Sequence, residues 1–161
     1  MRIVGIDPGV TGGFALIAPN GERLVTTLTN LKAGKTTIVD VPAFCAVLNE
    51  CAPDYVIIEK VAGRAKQGGS SMFTFGAAWG CLLGASQACG YPTMLVSPQR
   101  WKIDLGLIGL GKAGSLALAR KLYPECAKEL RRVKDHDRAE ALLIAHWLST
   151  IGAKRLTKTV H

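Results

Sequence analysis

Apolar runs cut by glycine and proline open the chain. Ile3 to Ile6 is apolar, Asp7-Pro8-Gly9 interrupts it, and Gly12 to Ile17 resumes the run, which predicts two strands. Asn20-Gly21 is a strong hairpin signal and predicts a third strand over 22–28, so the chain begins as an antiparallel meander. Between Thr36 and Cys51 the apolar positions Val39, Val41, Phe44, Val47 and Leu48 follow a helical spacing and predict a helix over 36–51. Tyr55-Val56-Ile57-Ile58 is a β-branched run that ends at Glu59. A strand after a helix implies a parallel, buried crossover.

Residues 63–71 (GRAKQGGSS) are polar, basic and glycine-rich and read as a loop, and a helix of small residues is predicted over 73–89. Gly76, Gly80, Gly84 and Ala88 recur every fourth position there, so one stripe has almost no side chain. That stripe fits either close packing on the protein's own sheet or a helix–helix seam in a homodimer. Further on, the pattern predicts a strand over 92–97, a loop or short helix over 99–110, a helix over 112–122 and a last helix over 136–149. No repeat or domain-separating linker interrupts this order. The architecture is α/β with mixed strand directions, one domain over 1–161, with about the last ten residues a basic tail.

Composition narrows what such a domain does. Of 161 residues 48% are hydrophobic, which excludes a disordered chain. Lys and Arg number 20 against 12 Asp and Glu, and the formal charge of +8 attracts polyanions, nucleic acid first among them. The five cysteines, Cys45, Cys51, Cys81, Cys89 and Cys126, show no CxxC pair or zinc spacing, so they read as reduced thiols without a structural zinc. The N-terminus runs straight into a strand, and the apolar stretch 77–85 is too short to span a bilayer. A soluble cytoplasmic protein with no membrane partner is expected.

Against that positive background, four acids stand out by position. Asp7 and Glu59 each end an apolar strand, and Asp137 and Glu140 lie one turn apart near the start of the last helix. Each has a plain alternative role: Asp7 as a turn cap before Pro-Gly, and the helical pair as partners of the helix dipole. Asp135 competes for the capping role, which frees Asp137 and Glu140 for other work. Gly9, Gly12 and Gly13 leave room beside Asp7 for a ligand or a backbone. Four carboxylates in one place would repel one another unless cations neutralise them. Their oxygens suit Mg²⁺ or Mn²⁺ rather than zinc or copper, and a pair of such ions about 4 Å apart is a known means of cleaving phosphodiesters.

Read in order, GIDPGVTGGFAL, YVIIEKV, SPQRWK, GLGKAG and KDHDRAEALLIA resemble the RuvC family of Holliday junction resolvases, within the RNase H-like superfamily. The resemblance runs from Met1 to about Trp147. It implies an RNase H-like fold with a five-stranded mixed sheet flanked by helices, and a catalytic, metal-binding tetrad of Asp7, Glu59, Asp137 and Glu140. It also implies a homodimer that hydrolyses two strands of like polarity across a four-way DNA junction with Mg²⁺ or Mn²⁺, two ions per site. Such a role leaves room for a branch-migration motor as protein partner, which the sequence does not identify.

Two departures from the family pattern are visible. Glu140 stands where Asp is usual, and Val61 and Ala62 replace an aromatic just beyond the second acid, a role that Phe73 or Phe75 would have to take if they are not core residues. For the DNA backbone the candidates are Arg64, Lys66, Arg100, Lys102 and Lys112, of which Lys102 and Lys112 match lysines the family places near the scissile phosphate. Trp101 is either a base-stacking residue or a half-buried anchor, and Arg131, Arg132 and Lys134 read as a solvated helix end. Two alternatives remain: a related RNase H-like nuclease for other branched or hybrid nucleic acids, and an actin-like ATP-binding phosphotransfer protein. The latter opens similarly but needs a second phosphate motif and about twice the length.

Overall fold

Why the chain opens as a meander is visible in its first turns. In the computed structural model, which describes residues 1–61, 68–152 and 154, β1 (Ile3–Asp7) pairs antiparallel with β2 (Gly13–Ile17), and β2 with β3 (Arg23–Thr27). Gly21, at φ +88°, makes the hairpin between β2 and β3. Arg64, Lys66, Ala62 and all of the basic tail beyond Lys154 lie outside the described residues.

After β3 the sequence-based expectation fails. Residues 36–51 are not one helix: β4 (Asn30–Ala33) and β5 (Thr36–Val39) form an exposed hairpin, and α1 is Val41–Cys51. The β-branched run Thr36-Thr37-Ile38-Val39 is strand-like by composition, and its Val39 happens to fall in phase with the helix that follows. The true boundary is Asp40, whose side chain accepts from the Ala43 amide at 3.0 Å, ahead of Pro42 in the first turn.

The chain then crosses to β6 (Tyr55–Glu59), α2 (Gly69–Ala88) and β7 (Thr93–Val96), continues through α3 (Pro98–Asp104) and α4 (Gly111–Leu122), and ends with α5 (His136–Trp147) and a π-helical turn, Leu148–Gly152. β6 runs parallel to β1, and β7 parallel to β6, giving the sheet order β3-β2-β1-β6-β7. The expected five-stranded mixed sheet flanked by helices is therefore present. No helix among the described residues is long and apolar enough to cross a membrane.

Strand periodicity divides the core in two. Val4, Ile6, Phe14, Leu16, Val56 and Ile58 point to one face and pack with Phe44 and Leu48 of α1 and Ala78 and Leu82 of α2. Ile3, Ala15, Ile17 and Ile57 point to the other, where Trp101 of α3, Leu116 of α4 and residues 141–145 of α5 meet them.

Two glycines set how closely α5 sits. A methyl on Gly13 would overlap the Asp137 carbonyl, and one on Gly5 would overlap the Ala141 carbonyl and stand 2.7 Å from the Ala145 nitrogen. With no Cβ at either position the helix backbone lies directly on β1 and β2. Arg138 secures it sideways, donating from Nε to Thr27 Oγ1 of β3 at 2.8 Å.

The α2 stripe does the opposite of packing on the sheet. Gly76, Gly80, Gly84 and Ala88 are all exposed, and a Cβ added to any of the three glycines would meet nothing within 4 Å among the described residues. Ala78, Leu82, Ala85 and Ser86 supply the buried side of this helix instead. Phe73 is 79% exposed and Phe75 half-buried, so neither is a core residue.

Candidate active site

Asp7 and Glu59 are the last residues of two adjacent parallel strands. Ile6 lies opposite Ile58, so the two carboxylates leave the sheet at the same level. Asp7 shares its face with Ile3 and Gly5, and Glu59 shares its face with Ile57, so both stand on the α5 side. Seating α5 on Gly13 puts its first turn, with Asp137 and Glu140 at i and i+3, over that same end of the sheet. All four acids line one open cleft of about 930 Å³.

Three of the four carboxylates have a defined neighbour. Glu59 Oε2 accepts from the Trp101 indole N–H at 2.7 Å. Trp101 is wholly buried, so it neither stacks on a base nor acts as a half-buried anchor; it is a core residue whose one polar atom serves the site. Glu140 Oε1 accepts from Ser115 Oγ at 2.9 Å and from Lys102 Nζ at 3.0 Å, while Lys102 also lies 4.9 Å from the centre of the Trp101 ring. Asp137 pairs with Nδ1 of His136, whose Nε2 lies 2.8 Å from Lys112 Nζ. An ammonium only donates, so Nε2 accepts and the ring proton sits on Nδ1, facing Asp137.

Crowding shows in the proton affinities. Burial pushes the Asp7 carboxyl well above its ordinary range, and the neighbouring Glu59, Glu140 and Asp137 push it further, with Lys102 opposing. Burial also raises Asp137, which Glu140 reinforces and His136 and Lys112 counter. Negative charge at Asp7 is thus costly without a positive partner.

These residues fit a hard divalent cation by donor chemistry and by that uncompensated charge. They are not yet closed around one: among the described residues no three acidic, His or Cys side chains stand close enough to enclose an ion. Glu59 and Glu140 are instead drawn toward Trp101, Ser115 and Lys102.

Of the basic candidates, Lys102 and Lys112 line the cleft. Arg100 does not: it is exposed and lies 3.4 Å from Asp104 one turn along α3. Asp135 stands at the N-cap position of α5, but its side chain makes no capping bond to that helix and is not part of the acidic cluster. It is buried and accepts from the Arg132 amide at 2.7 Å and the Arg132 guanidinium at 2.8 Å, with Arg138 at 3.7 Å, and that pairing holds it below the usual carboxylate range. Sequence reading missed Ser115 and His136. The one signal for Ser115 was a hydroxyl beside Leu116 and Ala119 on the inward side of its helix.

The sheet order β3-β2-β1-β6-β7 with its flanking helices is that of the RNase H-like fold of RuvC. A Thermus thermophilus RuvC solved with a Holliday junction substrate superposes with a TM-score of 0.66 at 22% identity, over 94% of this chain and 97% of that one. The yeast mitochondrial Holliday junction resolvase Ydc2 superposes at 0.57 and 13% identity, over 98% and 85%. In sequence, the chloroplastic Holliday junction resolvase MOC1 of Chlamydomonas reinhardtii is 49% identical over 69 residues, 42% of this chain. The chain spans 8% of the length of that relative. No family model matches the chain.

Proposed function

We propose that this chain is a divalent-metal-dependent endonuclease that resolves four-way DNA junctions by paired, symmetric nicking, in recombination and repair. The observation that carries the reading is the meeting of Asp7, Glu59, Asp137 and Glu140 in one open cleft also lined by Lys102 and Lys112. The likeness to MOC1 and the RuvC form of the fold support it.

The four carboxylates would hold Mg²⁺ or Mn²⁺, two ions per site. Bound there, such ions supply positive charge to the phosphodiester oxygens and acidify water. The chain's own residues do the rest. Lys102 and Lys112 grip phosphate, while the charge of +8 gathers DNA from a distance. Arg64, Lys66 and Arg100 are proposed to extend the grip along the arms of the junction. Binding then weakens steeply with salt, as each neutralised phosphate releases counterions.

The acting species is proposed to be a homodimer, since two nicks need two sites, with the exposed small-residue face of α2 as its seam. It is proposed to work as a single domain, with a branch-migration motor as its protein partner, and in the cytoplasm, although the algal relative is a chloroplast protein.

The test is nicking of a synthetic four-way junction with and without Mg²⁺, beside flap and RNA/DNA hybrid substrates. Mg²⁺-dependent symmetric nicks are expected, with cutting lost but junction binding kept in Asp7→Asn and Glu59→Gln. Variants that cut as the parent does would remove the cluster from the mechanism. Equal cutting of flaps or hybrids would redirect the reading to a less selective nuclease.

A further inference from the structure

Two donors converge on a single oxygen of Glu140. Ser115 Oγ lies 2.9 Å from Oε1 and Lys102 Nζ 3.0 Å from it, whereas Oε2 accepts no hydrogen bond among the described residues. Ser115 is 1% exposed, so its hydroxyl proton must find a partner inside the protein. A buried helical serine ordinarily returns that proton to the carbonyl four residues back, as Ser86 does to Leu82 at 2.7 Å. Ser115 instead reaches from α4 across to α5.

We propose that Ser115 is a positioning residue for Glu140: it fastens Oε1 against α4 and leaves Oε2 for the cleft that Glu140 lines. A glutamate has one more torsion than an aspartate, and an unfastened one would scatter its carboxylate over several rotamers. The added methylene also gives the reach, because an aspartate at 140 would stop short of the Ser115 hydroxyl. Lys102 does not substitute for this restraint. Its side chain is 27% exposed and the proposed function sends its charge to phosphate, while Ser115 is buried at 1% exposure.

The inference rests on the reading of the cleft as a cation site, so the measurement is Mn²⁺ binding to the purified chain by calorimetry, with no DNA and no turnover. Ser115→Ala is expected to weaken Mn²⁺ binding about tenfold, and Ser115→Thr, which keeps the hydroxyl, to stay within about threefold of the parent, as for other residues that orient metal ligands. Glu140→Asp uncouples the pair. It weakens binding by itself, and Ser115→Ala added to it changes nothing more.

Urea unfolding of each variant tracks any loss of fold separately. If Ser115→Ala binds Mn²⁺ like the parent, or loses the same factor in the Glu140→Asp background, the positioning role is wrong while the cation reading stands. If the parent chain itself binds no Mn²⁺, the cation reading fails and takes this role with it.

Discussion

Two sets of glycines lie on opposite faces of the sheet and are used in opposite ways. Gly5 and Gly13 sit under α5, where an added methyl would overlap helix backbone; on α2, a methyl added at Gly76, Gly80 or Gly84 would meet nothing within 4 Å among the described residues. By spacing alone the α2 set is the more conspicuous, since it recurs every fourth residue and the strand pair has no period. What distinguishes them is what stands opposite. A strand glycine beneath a helix fixes how far apart functional groups on the two elements sit, and here it fixes the distance from Asp7 to Asp137. A helix glycine turned outward leaves a surface whose use depends on another molecule.

The sharpest way to break this contrast is to fill the tight side. Gly13→Ala forces either β2 or the first turn of α5 to move, since the clash is with main chain rather than with a flexible side chain. Overpacking of this kind costs about 3 kcal/mol, which lowers Tm by roughly 6–12 °C in a protein of this size. Nicking is expected to fall more than stability does, because Asp137 moves with the helix. A melt and a junction assay on the same preparation check both. A variant with unchanged Tm would mean that α5 is not seated as described.

A smaller effect comes from the carboxylates this seating brings together. The folded-state affinity of Asp7 for its proton is raised above its unfolded value. Between those two values the native state holds more protons than the unfolded one, so this group's contribution to stability falls as pH rises through that window and recovers as pH is lowered. Asp7→Asn removes the charge. In chelator at neutral pH it is expected to raise Tm, by about 2–4 °C for each kcal/mol of burial cost and repulsion relieved, and the gain over the parent should shrink toward pH 4. A parallel pair of Tm–pH curves would show that Asp7 is not crowded. Mn²⁺ is expected to stabilise the parent and not the variant, since it supplies the charge that Asp7 lacks.

How much of this site was legible in the sequence follows from the range of the interactions involved. Asp7 and Glu59 were legible because each ends a short apolar run, where a strand leaves the sheet. Asp137 and Glu140 were legible because i and i+3 share a helix face whatever the helix packs on. The groups that orient them were not: Trp101 lies 42 residues from Glu59, and Ser115 lies 25 from Glu140, and no local pattern links such pairs. Asp135 misled for the same reason, since a residue just before a helix looks like its cap until Arg132 and Arg138 are seen to claim it. In the fold, the β4–β5 hairpin was hidden because a four-residue β-branched strand ran in phase with the helix after it.

The open side of the contrast predicts the smallest change and the most diagnostic one. A glycine inside an exposed stretch of helix costs roughly 0.5–1 kcal/mol relative to alanine, through backbone freedom alone. Gly84→Ala adds a methyl that meets nothing within 4 Å among the described residues, so the fold of a single copy should gain about that much, the reverse in sign of Gly13→Ala. If α2 is the seam of a dimer, bulk there is felt only between copies. Gly80→Leu is then expected to keep the fold and shift sedimentation from dimer to monomer, with paired nicks becoming single ones. A dimer that survives Gly80→Leu moves the seam to another surface while leaving the stability difference between the two glycine sets intact. Loss of fold in Gly84→Ala would break the comparison itself, for it would mean that the α2 face is packed against the chain's own residues.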